Sequence, residues 1–232
     1  MDRQQREYAI LDQLTEGNLP GFLRKLAPVT LNADVPGRGT LTATIFVMPE
    51  YLAVGSDSDF LRIPMNLHTA TAIADRFRFM LPTRKMVDAV YHQSTCRFTP
   101  QPLPAGPQMT STEYYQHHNV MIDGQSHTRG FPVGALVSGH KKDVVLTNRL
   151  VSNPGRIAIY GWHRDTGEPI QPLSTVHGAN YADYSHGIRL IGAMAMIEGR
   201  LHSVQEVLRD VMFAKILSDE GALRISFAPG NA

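Results

Sequence analysis

The sequence predicts an α+β fold, with mixed or mostly antiparallel sheet, peripheral helices and a C-terminal amphipathic helix. Three observations carry this. Apolar residues recur at helical spacing in some segments, and in others they alternate or run together with β-branched residues. The strand-like segments of the second half are divided by turn signals, Asn153-Pro154-Gly155 and Asp165-Thr166-Gly167. The chain also lacks the regular strand–helix alternation of a doubly wound sheet.

The elements read in order as follows. Residues 3–16 form a helix that ends at Gly17, and Asn18 caps a second short helix with Pro20 in its first turn and Phe22, Leu23 and Leu26 as its apolar side. TLTATIFV (40–47) alternates and reads as a strand. YLAVG (51–55) and DFLRIP (59–64) flank a Ser-Asp-Ser turn and read as a hairpin. Helical spacing returns at 67–80, and Thr83 opens a further helix with Met86, Val87, Val90 and Tyr91 facing inward. Residues 99–108 carry four prolines and a glycine. They are the best candidate seam in what reads as one domain, 1–232, between a helix-and-hairpin lobe (1–98) and a histidine-rich lobe (109–232); a true domain linker is the alternative. Beyond it, Thr110 with Glu113 forms a capping box for a helix to about residue 122. Strands are expected over 133–138, 143–148, 156–161 and 187–197. Ser203 with Glu206 caps a helix whose inner face is Val204, Val207, Leu208, Val211 and Met212, continuing to Ile216. LRISF (223–227) reads as a last strand.

Composition narrows the function. The 232 residues are 43% hydrophobic with a formal net charge of +1, enough for a sizeable core and without the basic excess of a nucleic-acid binder. No apolar run approaches the roughly 20 residues needed to span a membrane. The charged amino terminus lacks an apolar signal core, so a cytoplasmic location is expected, or secretion if a leader has been removed. Cys96 is the single cysteine and makes neither an intrachain disulfide nor a cysteine-based zinc site; it reads as packing.

The histidines point to a site. Seven of the ten lie between positions 117 and 186. His140 precedes one expected strand, His163 follows another, and His177 and His186 frame the stretch HGANYADYSHG (177–187). Strand ends converge in space, and imidazole exchanges protons near neutral pH. His186 is therefore the expected acid–base residue, with Asp183 three positions away to orient it and His140 or His177 as a second proton-transfer group. His163 would stand at the pocket rim. Ser185 is a candidate nucleophile, better served by His177 than by its neighbour His186. Arg189 or Lys142 would hold an anionic or carbonyl oxygen, and Tyr160, Trp162 and Tyr184 would supply aromatic walls. In GHKKDVV (139–145), Asp143 would orient His140 or pair with a lysine. If Trp162 and His163 continue a strand, they point to opposite faces and one lies outside the core.

The pair His177-Gly178 followed by Ser185-His186-Gly187 and Arg189 resembles the signature of the L,D-transpeptidases, mostly-β enzymes that cross-link peptidoglycan. Ile188 stands where that family has its nucleophilic cysteine, the two elements are closer together, and the similarity is confined to residues 177–189, so no membership follows.

The resulting expectation is a hydrolase or related transferase using histidine acid–base chemistry, without cofactor, on a polar small-molecule or polymer substrate of peptide- or saccharide-like character. Neither nucleic acid nor membrane is expected as a partner, and the oligomeric state is open. One alternative is a non-catalytic binding or structural protein, such as a phage or envelope component, with Lys141-Lys142 as a surface patch. Another is a metallohydrolase with a zinc-type ion on His140, His163, His177 and His186.

Overall fold

The computed structural model describes residues 2–225. It is 33% helix and 27% strand, with mostly antiparallel sheets, the expected α+β class. In chain order the first part contains α1 (Arg3–Thr15), β1 (Ala27–Val35), β2 (Gly39–Val47), β3 (Ala53–Gly55), β4 (Phe60–Arg62), α2 (Leu67–Phe77), β5 (Phe79–Met80), α3 (Arg84–Gln93) and β6 (Cys96–Arg97). The second part contains α4 (Thr112–Arg129), β7 (Val137–Ser138), β8 (Lys142–Val144), β9 (Ile159–His163), β10 (Pro169–Ser174), β11 (His186–Gly187), β12 (Ile191–Ile197), β13 (Arg200–Ser203), α5 (Val204–Arg209) and α6 (Ala214–Leu217).

One sheet has the order β1-β2-β12-β13, with β5 also on β12, and so joins strands from both sides of residues 99–108. A second has the order β10-β9-β8-β11. Among the described residues the named strands pair antiparallel except at two short places, β6 with β7 and β8 with β11. Val29, Ile45, Ile191 and Leu208 lie in the core beneath the first sheet, and Leu52, Ile73, Ile159 and Ile188 in the core beneath the second.

Local signals hold at the starts of α3 and α5, whereas the expected cap Asn18 does not cap the short 3-10 turn Gly21–Arg24, which follows Pro20 without a side-chain cap. Thr83 caps α3 through Met86 N, and Met86, Val87, Val90 and Tyr91 are all buried as the spacing requires. Ser203 caps α5 in the same way. The cap of α4 is Ser111, not Thr110, and the helix runs on to Arg129. The C-terminal helix is shorter than expected. It ends at Arg209, because the Asp210 carboxylate takes the amides of Met212 and Phe213, and Val211 is left 85% exposed. The chain returns to the core on α6, through Ile216 and Leu217. Residues 133–136 are not strand. Of the strand expected over 223–227, residues 223–225 are not strand, and the remainder lies outside the described residues. Two strands escaped the reading because they contain proline, β1 and β10. Both are at sheet edges, where a missing amide leaves no partner unmet.

The segment Met48–Leu52 leads from β2 of the first sheet to β3, which among the described residues pairs only with β4. It is fully buried yet has no regular structure, so each of its polar groups must find a specific partner. Met48 N donates to Leu190 O and Leu52 N to Ile188 O, while Pro49 O accepts from Val137 N. The chain turns sharply beside it at Gly139, φ +92°, where an added Cβ would meet Phe98 O at 2.3 Å. Strain plus overpacking of this kind costs about 3 kcal/mol. Gly139→Ala is accordingly expected to lower the stability read from urea unfolding by that amount, with an unchanged m-value.

Candidate functional site

The parallel pairing of β11 with β8 sets His186 opposite Lys142 and Gly187 opposite Asp143. It brings the two polar motifs, GHKKD and YSHG, side by side. The approach is close because Gly187 has no side chain: a Cβ there would lie 2.6 Å from the Tyr51 ring and 2.7 Å from Lys141 Cβ. Beyond β8, Asp143 pairs with Tyr160 and Lys142 with Gly161 of β9.

A first group surrounds His186. This ring is fully buried, and neither nitrogen has a hydrogen-bond partner among the described residues. Burial pushes its pKa down to about 4, with Asp183 opposing the fall and Lys142 and His177 adding to it. Asp183 Oδ2 lies 4.0 Å from His186 Nε2, too far for a hydrogen bond. Asp183 instead accepts from Ser185 N at 2.8 Å, Ser185 Oγ at 2.5 Å and Tyr181 Oη at 3.0 Å. Burial acts to raise its pKa, but His186, Ser185 and Lys142 outweigh it and keep the carboxyl below the ordinary range. His177 is half-buried and stacks on Tyr181 at 4.0 Å, and both rings border His186, at 6.4 and 5.7 Å. The Lys142 ammonium lies 5.3 Å over Trp162, its pKa lowered by burial.

A second buried group adjoins the first. Lys141 is 1% exposed and donates to Tyr184 O, with His118 Nδ1 at 3.1 Å. Burial, reinforced by Arg62, brings its pKa down to about 7. Tyr51 Oη donates to Asp143 Oδ2 at 2.8 Å, and Asp143 Oδ1 is buried without a partner among the described residues. Burial pushes the Asp143 carboxyl up to about 6 against the pull of Arg189, Tyr51 and His163. Glu50 binds His140 Nε2 at 2.7 Å and Arg62 Nε at 2.8 Å, and Arg62 continues to Asp123 at 2.7 Å. Glu50 and Arg62 line a cleft of about 530 Å³.

The sequence candidates thus divide. His186, Asp183, Ser185, His177, Lys142 and Trp162 come together. His140 does not join them, because it is held by Glu50 between the rings of Phe98 and Tyr51. His163 and Tyr160 both bind Asp88 Oδ1, at 2.9 and 2.8 Å. Ser185 is fully buried and its hydroxyl serves Asp183 rather than a histidine. Arg189 is 1% exposed, lies over Tyr51 and spends both terminal nitrogens on Met48 O and Val137 O, so it holds the chain together and does not reach a substrate anion. Tyr184 is a clamp on the proline-rich segment, with its hydroxyl on Leu103 N and O. Lys141 is no surface lysine, and Asp143 bonds Tyr51 rather than His140 or a lysine. Trp162 and His163 are both buried. The four histidines offered for a metal do not converge: only His177 and His186 are neighbours, and among the described residues no three His, Cys, Asp or Glu side chains form a metal-holding group.

Glu50, Tyr51, Arg62, Asp88 and His118 were not singled out from the sequence as members of this polar core. No family model matches the chain, and no curated protein or solved structure matches it. Among the described residues no helix is long and apolar enough to cross a membrane.

Asp143 gives the core a pH signature. An unfolded aspartate titrates near 3.9, and the folded group at about 6. Between these values the folded state binds more protons, so this group's contribution to stability falls as pH rises from about 4 to about 6 and is flat above. Asp143→Asn is expected to remove about 3 kcal/mol of that fall relative to wild type, measured by urea unfolding at pH 4, 5, 6 and 8.

Proposed function

We propose that the protein is a hydrolase or related transferase that applies histidine acid–base chemistry to a polar, peptide- or saccharide-like substrate. The observation that carries the reading is His186: an imidazole buried without a partner for either nitrogen among the described residues, beside an ionised carboxylate and an ammonium. Such a ring contributes little to folding, since each unmet buried nitrogen is a penalty. It is neutral at pH 7, and so free to accept a proton. Asp183, 4.0 Å away, stabilises the imidazolium that results, as a carboxylate does for a general base. Lys142 supplies positive charge for an oxygen that becomes anionic. His177 and Tyr181, half-buried beside the ring, are the surface a substrate meets, and His177 is the second proton carrier.

The test is a panel of nitrophenyl esters, nitrophenyl glycosides and peptide anilides assayed with wild type and with His186→Gln. At least one class should be turned over, and the variant should lose about 100-fold or more in kcat while its Tm stays within a few degrees. A panel inert throughout, or a variant as fast as wild type, overturns the proposal and leaves a binding or structural role.

A further inference from the structure

A second cavity, of about 830 Å³, has none of the candidate-site histidines in its lining and is walled by α2, β5, the 146–156 segment, Ala179 and residues 224–225. Its volume is in the range of small-molecule sites. Leu67, Met80, Leu146 and Leu150 line it, and each is only half-buried, so apolar surface faces the opening. The charges on the walls are unbalanced. Arg78, Arg156 and Arg224 contribute three positive charges against the single carboxylate of Asp75. Among the described residues neither Arg78 nor Arg224 has a carboxylate partner, while Arg156 donates to Val176 O at 2.7 Å. Arg78 also occupies a left-handed backbone position, φ +58°, at the end of α2, where glycine is the ordinary choice.

We infer that this cavity binds one molecule of a single-chain anionic amphiphile, with a carboxylate head among the arginines and an aliphatic tail along the leucines. Apolar walls alone would accept many occupants, but the excess of three arginines over one aspartate selects the anionic head. The cavity borders the candidate site through Ala179 and Arg156 but has none of that site's histidines in its lining, so the head-group contacts use no side chain of the acid–base proposal.

The probe is dodecanoate, titrated calorimetrically into the full chain, with dodecyltrimethylammonium as the charge-reversed control. Dodecanoate should bind with one-to-one stoichiometry and at least about tenfold more tightly than the ammonium, and the double variant Arg78→Gln/Arg224→Gln should weaken it about tenfold. Ala72→Phe, which fills the cavity from α2, should abolish binding, and His186→Gln should leave it intact. Equal affinity for the two head groups, no binding of dodecanoate, or binding that neither cavity variant changes overturns the inference. So does association with phosphatidylglycerol vesicles in the absence of one-to-one dodecanoate binding, which would make the patch a membrane contact.

Discussion

The structure depends on satisfying a buried piece of irregular chain. Met48–Leu52 passes through the interior with neither helix nor ladder to pair its backbone. An unpaired buried peptide group costs as much as a lost hydrogen bond, so the neighbouring segments are committed to it. Residues 188 and 190 take its amides, Val137 gives to Pro49 O, and the Arg189 guanidinium bridges Met48 O and Val137 O. The same segment then projects Glu50 and Tyr51 into the polar core, onto His140 and Asp143. The element that needs partners also fixes where the ionisable groups stand.

Stability alone does not account for that core. A buried ion pair is often no better for folding than apolar residues of the same volume. Here the penalties are visible in the residues themselves: a carboxyl raised to about 6 at Asp143 and an ammonium lowered to about 7 at Lys141. Both groups are driven toward neutral pH by the same burial, from opposite directions. Groups with shifts of this kind gather where proton transfer is carried out. Asp143 and His186 stand on the paired strands β8 and β11, and Lys141 directly precedes β8.

What the sequence made legible was local. Caps, helix faces and the two polar motifs obey short-range rules, and α3 and the start of α5 follow them residue by residue. The site was half legible for the same reason. His186, Asp183 and Lys142 stand in segments rich in His, Asp and Gly, but their pairing is a long-range contact that no periodicity encodes. Glu50 and Arg62 meet through the β3–β4 hairpin, and nothing in MPEYL distinguishes a buried glutamate from a surface one. The metal quartet failed on the same point, since His140 and His163 find carboxylates, Glu50 and Asp88, on elements read only as scaffold.

The end of β9 shows how a local rule yields to the site. In a regular strand Tyr160 and His163, three apart, face opposite sides of the sheet. Here both reach one oxygen, Asp88 Oδ1. The backbone between them makes this possible: Gly161 has φ +105° and Trp162 φ +57°, the second a costly conformation for a bulky residue. That double rotation turns Trp162 inward, against Tyr184 and His118 and beneath the Lys142 ammonium, while leaving His163 stacked on Tyr91. A strand with ordinary alternation would expose one of the two. The strained residue therefore supplies what regular pairing could not, an aromatic floor under the half-buried ammonium beside His186, and its strain is held by the pairing of β9 with β8 and β10 on either side.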